Sequence, residues 1–132
     1  MSLRIAALVL AASLVSPAVA AAERVVVPGW QEVGALFRKR CTNCHSGIAG
    51  ASRGLRLDGY SHALTGSENG IVMMWGNAPE SELIRRVRGE ATPRMPFLGP
   101  PLPQEEIDLL EAWIAAGMPV LPRPACGPCH RD

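Results

Sequence analysis

The sequence predicts an all-α fold. Three observations carry this reading: apolar residues recur at helical spacing in separate stretches, no strand-like alternation of useful length appears, and Gly or Pro punctuates the periodic runs. The 132 residues suffice for one compact domain but not for two ordinary ones. No internal repeat is visible apart from a duplicated cysteine motif.

The first helix is read from Trp30 to Cys41, with Trp30, Val33, Leu36 and Phe37 apolar and Gln31, Glu32, Arg38 and Lys39 opposite. Ser46 to Gly54 is rich in Gly, Ala and Ser and is read as a loop; Asp58 to Leu64 is read as one or two helical turns. A middle helix follows from a capping box of Asn77 and Glu80, with Pro79 in its first turn. Leu83, Ile84 and Val87 line one face before Gly89 stops it.

Between Gly89 and Pro103 the prolines 93, 96, 100, 101 and 103 dictate a stiff, extended loop that contains Met95. The last helix, Gln104 to Gly117, is the most sharply amphipathic. Ile107, Leu110, Trp113 and Ile114 form its stripe, and its early acids suit the positive helix end.

Residues 1–20 read as an export signal: Arg4 is the positive start, Ile5 to Val15 the short apolar run, and Ala18, Val19 and Ala20 the cleavage site. The run is shorter than the roughly 20 residues that span a bilayer, so no membrane span is expected after cleavage, and a periplasmic or otherwise exported location is. An entry segment at 21–29, one domain at 30–118 and a Pro-rich tail at 119–132 complete the expected organisation.

Lys and Arg total 13 against 12 Asp and Glu, which gives no footprint for nucleic acid. The charges are nevertheless segregated. Arg38, Lys39, Arg40, Arg53, Arg56, Arg85, Arg86, Arg88 and Arg94 lie mid-chain, and Glu105, Glu106, Asp108 and Glu111 lie late. One basic face for an acidic partner, or simply a solvated surface, are the two readings.

Cys41, Thr42, Asn43, Cys44 and His45 form a CxxCH. Two thiols at this spacing can add across the two vinyl groups of one porphyrin while the adjacent imidazole binds its iron, the attachment pattern of haem c. A zinc site shared with Cys126 and Cys129, or plain disulfides permitted by export, are the rivals. With 3 histidines in 132 residues, a His follows a given Cys by chance about 2% of the time, and neither rival requires it. Met95, in its Pro-stiffened loop, is the candidate sixth ligand, and a thioether there would raise the potential. Met73, Met74 and Met118 are read as core packing.

The order of helix, CxxCH, middle helix, Met loop and terminal helix resembles a class I cytochrome c, most closely the planctomycete-type cytochrome c domain. The resemblance rests on CTNCH (41–45), GLRLD (54–58), SELIRRV (81–87), RMP (94–96) and EEIDLLEAWIAAG (105–117), and covers about residues 30–118. It implies three to four helices around a covalently bound haem, with His45 as proximal and Met95 as distal ligand. It also implies that the first and last helices cross with Gly34 and Phe37 near Leu110 and Trp113. Trp75, where such domains often place Pro before Gly, and Pro103, in place of a polar helix cap, depart from the pattern. Trp75 and Arg56 are candidate partners of a haem propionate.

Cys126, Gly127, Pro128, Cys129 and His130 form a second CxxCH beyond that resemblance. CGPC also spells a thioredoxin-like redox pair, but no strand and helix frame it here. A second haem held by Cys126, Cys129 and His130 is the expectation, with a dithiol or disulfide tail as the alternative. His62 is the one histidine left as its distal ligand, unless it is a surface residue. The expected function is electron transfer to redox partner proteins, not enzymatic turnover, with a haem enzyme or sensor using an open iron as the alternative.

Overall fold

In the computed structural model, residues 26–125 are described. The expected export signal at 1–20, and Cys126, Cys129 and His130, lie outside these residues.

The apolar stripe of Trp30–Arg40 (α1) does what its spacing dictates: Val33, Leu36 and Phe37 are buried and Arg38 and Lys39 face out. Glu32 closes the start of the helix by accepting a hydrogen bond from the Gly29 amide at 3.0 Å. A single 3₁₀ turn follows at Ser52–Gly54, then Tyr60–Thr65 (α2), Glu82–Arg88 (α3) and Gln104–Ala115 (α4).

The core lies where α1 and α3 meet α4. Trp113, Phe37, Ile84, Leu110, Ile114 and Val33 are fully buried there. Burying each such large apolar side chain stabilises the fold by about 1.5–3 kcal/mol. Trp30, Phe37, Tyr60 and Trp113 form one aromatic cluster, and the rings of Phe37 and Trp113 meet edge-on at 6.4 Å across the α1–α4 contact. Gly34 lets the Trp30 ring lie close, at 3.1 Å from where a Cβ would stand. Lys39 and Arg40 reach across to Glu106 at 2.9 and 2.8 Å, and Arg88 reaches Glu111, so ion pairs tie both helices to α4.

Three sequence expectations change. The middle helix does not begin at Asn77 and Pro79. Those residues form a separate turn in which the Asn77 side chain accepts from the Glu80 amide at 3.4 Å, and α3 starts at Glu82 with Ser81 as its N-cap. Ser81 is fully buried because its hydroxyl serves that turn, donating to the Asn77 carbonyl and accepting from the Met74 amide, each at 2.8 Å. At the other end Gly89, at φ 81°, adopts the left-handed conformation that closes α3 as expected.

Second, the fold is mostly but not wholly helical. Val26–Val27 (β1) and Arg123–Pro124 (β2) pair antiparallel, Val26 opposite Pro124 and Val27 opposite Arg123. Two residues are too few for alternation to register in sequence. Third, Met74 is 46% exposed and is not a core residue, whereas Met73 and Met118 are buried. Its backbone is held outward by the turn that Ser81 braces.

No helix of the described residues is long and apolar enough to cross a membrane.

Candidate functional site

The CxxCH begins where α1 runs out of helix. The Cys41 and Thr42 amides both donate to the Phe37 carbonyl, at 2.7 and 3.0 Å, and the His45 amide donates to the Cys41 carbonyl at 2.9 Å. The motif is thus one tight turn on the end of a buried helix. Cys41 packs against the core, while Cys44 is exposed. Burial, reinforced by the nearby Glu106 carboxylate, pushes the Cys41 thiol up to about 12.

Two further anchors fix the turn. The Leu57 amide donates to the His45 carbonyl at 2.8 Å, and the Ser52 amide to the Cys44 carbonyl at 2.9 Å. Asp58 accepts from the Gly47 amide at 2.9 Å and from both sides of the Arg56 guanidinium fork, at 3.1 and 3.0 Å. These bonds, that of Arg56 first, hold its carboxyl down at about 2. The GLRLD segment is therefore the strap that holds the histidine turn in place.

A cavity of about 620 Å³ opens beside this turn. Cys41, His45 and Met95 all line it, and Phe37, Leu57, Leu83, Val87, Leu102 and Leu110 give it apolar walls. The Nδ1 atom of His45 is buried and has no hydrogen-bond partner. Burying such a nitrogen without a partner is costly.

Met95 comes from the far side, on the proline loop. Its amide donates to the Arg86 carbonyl at 3.0 Å, and the Arg86 guanidinium donates to the Pro93 carbonyl at 3.0 Å while pairing with Glu82 at 2.7 Å. Arg86 thus grips the loop with both main chain and side chain. In the sequence Arg86 stands only as one of the mid-chain basic residues, and its position one helical turn after Glu82 is the local hint of an ordered role.

The remaining candidates fall elsewhere. His62 is on the exposed side of α2, 3.4 Å from Asp58, and does not line the cavity. Arg56 is occupied by Asp58, and Trp75 is 73% exposed against Gly117, so neither faces the cavity as a propionate partner would. Arg53 and Arg86 do line it, with Ser67 and Asn69 beside Arg53. The Arg53 carbonyl accepts from the Glu68 amide at 2.9 Å, and its guanidinium pairs with the Glu68 carboxylate at 3.1 Å. Among the described residues, no group of three or more His, Cys, Asp and Glu side chains is placed to hold a metal ion by itself.

A helical frame that turns Cys41 and His45 of a CxxCH onto an apolar cavity, with Met95 entering from a braced loop, has the donor set of a covalent haem site. Residues 41–97 match the family model described as Planctomycete cytochrome C, in agreement with the resemblance read from the sequence motifs. The match spans CTNCH, GLRLD, SELIRRV and RMP, and ends before α4. Neither the curated proteins nor the solved structures give a match.

Proposed function

We propose that this protein is an exported c-type cytochrome that carries electrons between redox partner proteins and is not an enzyme. Haem c would be bound through Cys41 and Cys44, with His45 and Met95 as the residues that would hold its iron. A second haem is assigned to Cys126, Cys129 and His130. One observation carries the reading: His45 and Met95, 50 positions apart, line one apolar cavity together with Cys41.

Bound haem supplies a one-electron iron couple. The chain's own residues set its surroundings. Leu57, Val87, Leu102 and Leu110 keep water from the cavity, which strengthens every electrostatic interaction inside it. The Met95 thioether, a soft neutral donor, favours the reduced metal and raises the potential. Arg86 and the prolines hold the Met95 loop in a fixed place, so little rearrangement accompanies a change of charge. Arg53 and Arg86 line the cavity, each already paired with a carboxylate, Glu68 and Glu82.

The test is expression with haem maturation machinery, followed by intact mass and reduction potential. Covalent haem is expected, and Met95→Ala should lower the potential and open the ferrous iron to carbon monoxide. A colourless product containing zinc would overturn the cytochrome reading. Carbon monoxide binding by every haem of the unsubstituted protein would shift it to a haem enzyme or sensor.

A further inference from the structure

The apolar cavity over His45 has a polar rim, and the rim falls into two groups. Glu82, Arg86 and Thr92 lie on α3 and the Met95 loop. Arg53, Ser67 and Asn69 lie on two turns joined by the bond from the Glu68 amide to the Arg53 carbonyl at 2.9 Å. Haem would bring two carboxylates to such a cavity, and a carboxylate shielded from water needs charged or hydrogen-bonding partners.

We propose that Arg53, with the Asn69 side chain beside it, is the partner of a haem carboxylate, that this contact raises the reduction potential, and that Glu68 competes for the same guanidinium. The role rests on the cytochrome reading above and adds to it the residues that receive the acid groups of the haem.

Elimination among the cations favours Arg53. Arg86 is committed, donating to the Pro93 carbonyl from one nitrogen and pairing with Glu82 through another. Arg56 gives Nε and Nη2 to Asp58 and does not line the cavity. Arg53 spends only Nη1, on Glu68 at 3.1 Å, and its Nε and Nη2 make no hydrogen bond among the described residues. A guanidinium carries five N–H donors in a planar fork, so one ion pair leaves room for a second carboxylate. The Arg53–Glu68 pair is also exposed, at 78% and 51%, and such pairs contribute little and exchange readily. Asn69, whose main-chain amide is held by the Ser67 hydroxyl at 3.1 Å, adds a neutral donor at the same rim.

The backbone fixes where Arg53 stands. Ala51 and Arg53 have φ of 45° and 56°, in the left-handed region that residues with a Cβ seldom adopt. Such backbone persists only where the surroundings over-determine it. Here the Ser52 amide donates to the Cys44 carbonyl at 2.9 Å on one side of the turn, and the Arg53 carbonyl takes the Glu68 amide on the other. The turn tied to the second cysteine of the CxxCH thus carries a cation to the cavity rim.

A cation there disfavours the more positive ferric state and keeps a neighbouring carboxylate ionised. The other ionisable side chains lining the cavity are Cys41 and His45, which haem attachment engages, and Glu82 with Arg86, which pair at 2.7 Å. Glu68 faces Arg53 from the adjoining turn.

The experiment uses the full chain matured with haem and follows the potential of the haem at Cys41 and Cys44 from about pH 5 to 8. In the unsubstituted protein it should be flat. Arg53→Gln should lower it and make it fall as pH rises, because the carboxylate then titrates in that range and its protonated form favours ferrous iron. Arg53→Lys should restore a flat profile, and Glu68→Gln should raise the potential. The double variant Arg53→Gln with Glu68→Gln should keep the pH dependence, which separates the haem carboxylate from Glu68 as its source. Absence of covalent haem from the unsubstituted protein would overturn the cytochrome reading itself. With haem attached, a flat profile for Arg53→Gln overturns the assignment. So does a pH dependence that vanishes in the double variant, or one that appears with Arg56→Gln instead.

Discussion

The hydroxyl of Tyr60 donates to the carbonyl of Met118 at 2.9 Å, joining α2 to the chain just beyond α4. This bond closes the aromatic cluster, because the Tyr60 ring also meets Trp30 at 5.6 Å and Trp113 at 6.4 Å. Removing the hydroxyl leaves the rings in place and orphans a part-buried carbonyl. Tyr60→Phe should therefore destabilise the haem-loaded protein by about 0.5–1.5 kcal/mol, read as a lower urea midpoint at unchanged slope.

Arg86 is expected to govern how firmly Met95 is held. Arg86→Gln keeps the main-chain bond to Met95 and loses the ion pair with Glu82 and the bond to the Pro93 carbonyl. Losing about 1–1.5 kcal/mol of loop restraint should let imidazole displace Met95 from the ferric iron at roughly five- to tenfold lower concentration. Arg85→Gln, which alters an exposed neighbour with no ion pair among the described residues, should leave that titration unchanged. Equal titrations for the two variants would remove Arg86 from the argument.

Asp58 makes the strap behind His45 sensitive to acid. Its carboxyl sits near 2 when folded, below its ordinary value of 3.8, so the folded state binds fewer protons there than the unfolded chain does. The stabilisation is thus fully present above about pH 4 and is lost as pH falls through about 2. Asp58→Asn should weaken the protein at neutral pH, and the difference between the two proteins should vanish as acid protonates the carboxylate. Denaturant midpoints measured between pH 2 and 7 check this, and a difference independent of pH would count against it.

How much of this was legible in the sequence depended on the range of the interactions. Two of the main helices could be read almost to the residue, because Val33, Leu36 and Phe37, like Ile107, Leu110 and Trp113, repeat with the period that burial on one face demands. The cysteine turn was legible because its chemistry fixes its spacing, and Met95 because prolines isolate it. The start of α3 lies later than the Asn77–Glu80 box suggests because the Asn77 oxygen serves a separate turn at Glu80, and the Ser81 hydroxyl braces that turn rather than capping the helix. The grip of Arg86 on the Met95 loop and the pairing of β1 with β2 were invisible for a similar reason. Each depends on partners that local periodicity does not report.

The ion pairs have a consequence for how the molecule looks from afar. Of the mid-chain basic residues, Lys39, Arg40, Arg53, Arg56, Arg86 and Arg88 each have a carboxylate within 4 Å, which leaves Arg38, Arg85 and Arg94 without one among the described residues. Opposite charges that close cancel beyond a screening length, about 8 Å at physiological salt. An approaching protein meets a fine-grained mosaic of compensated charge rather than a broad positive field. Its first encounters are then guided by shape and by the apolar surface it can cover, and their rates should respond only weakly to salt.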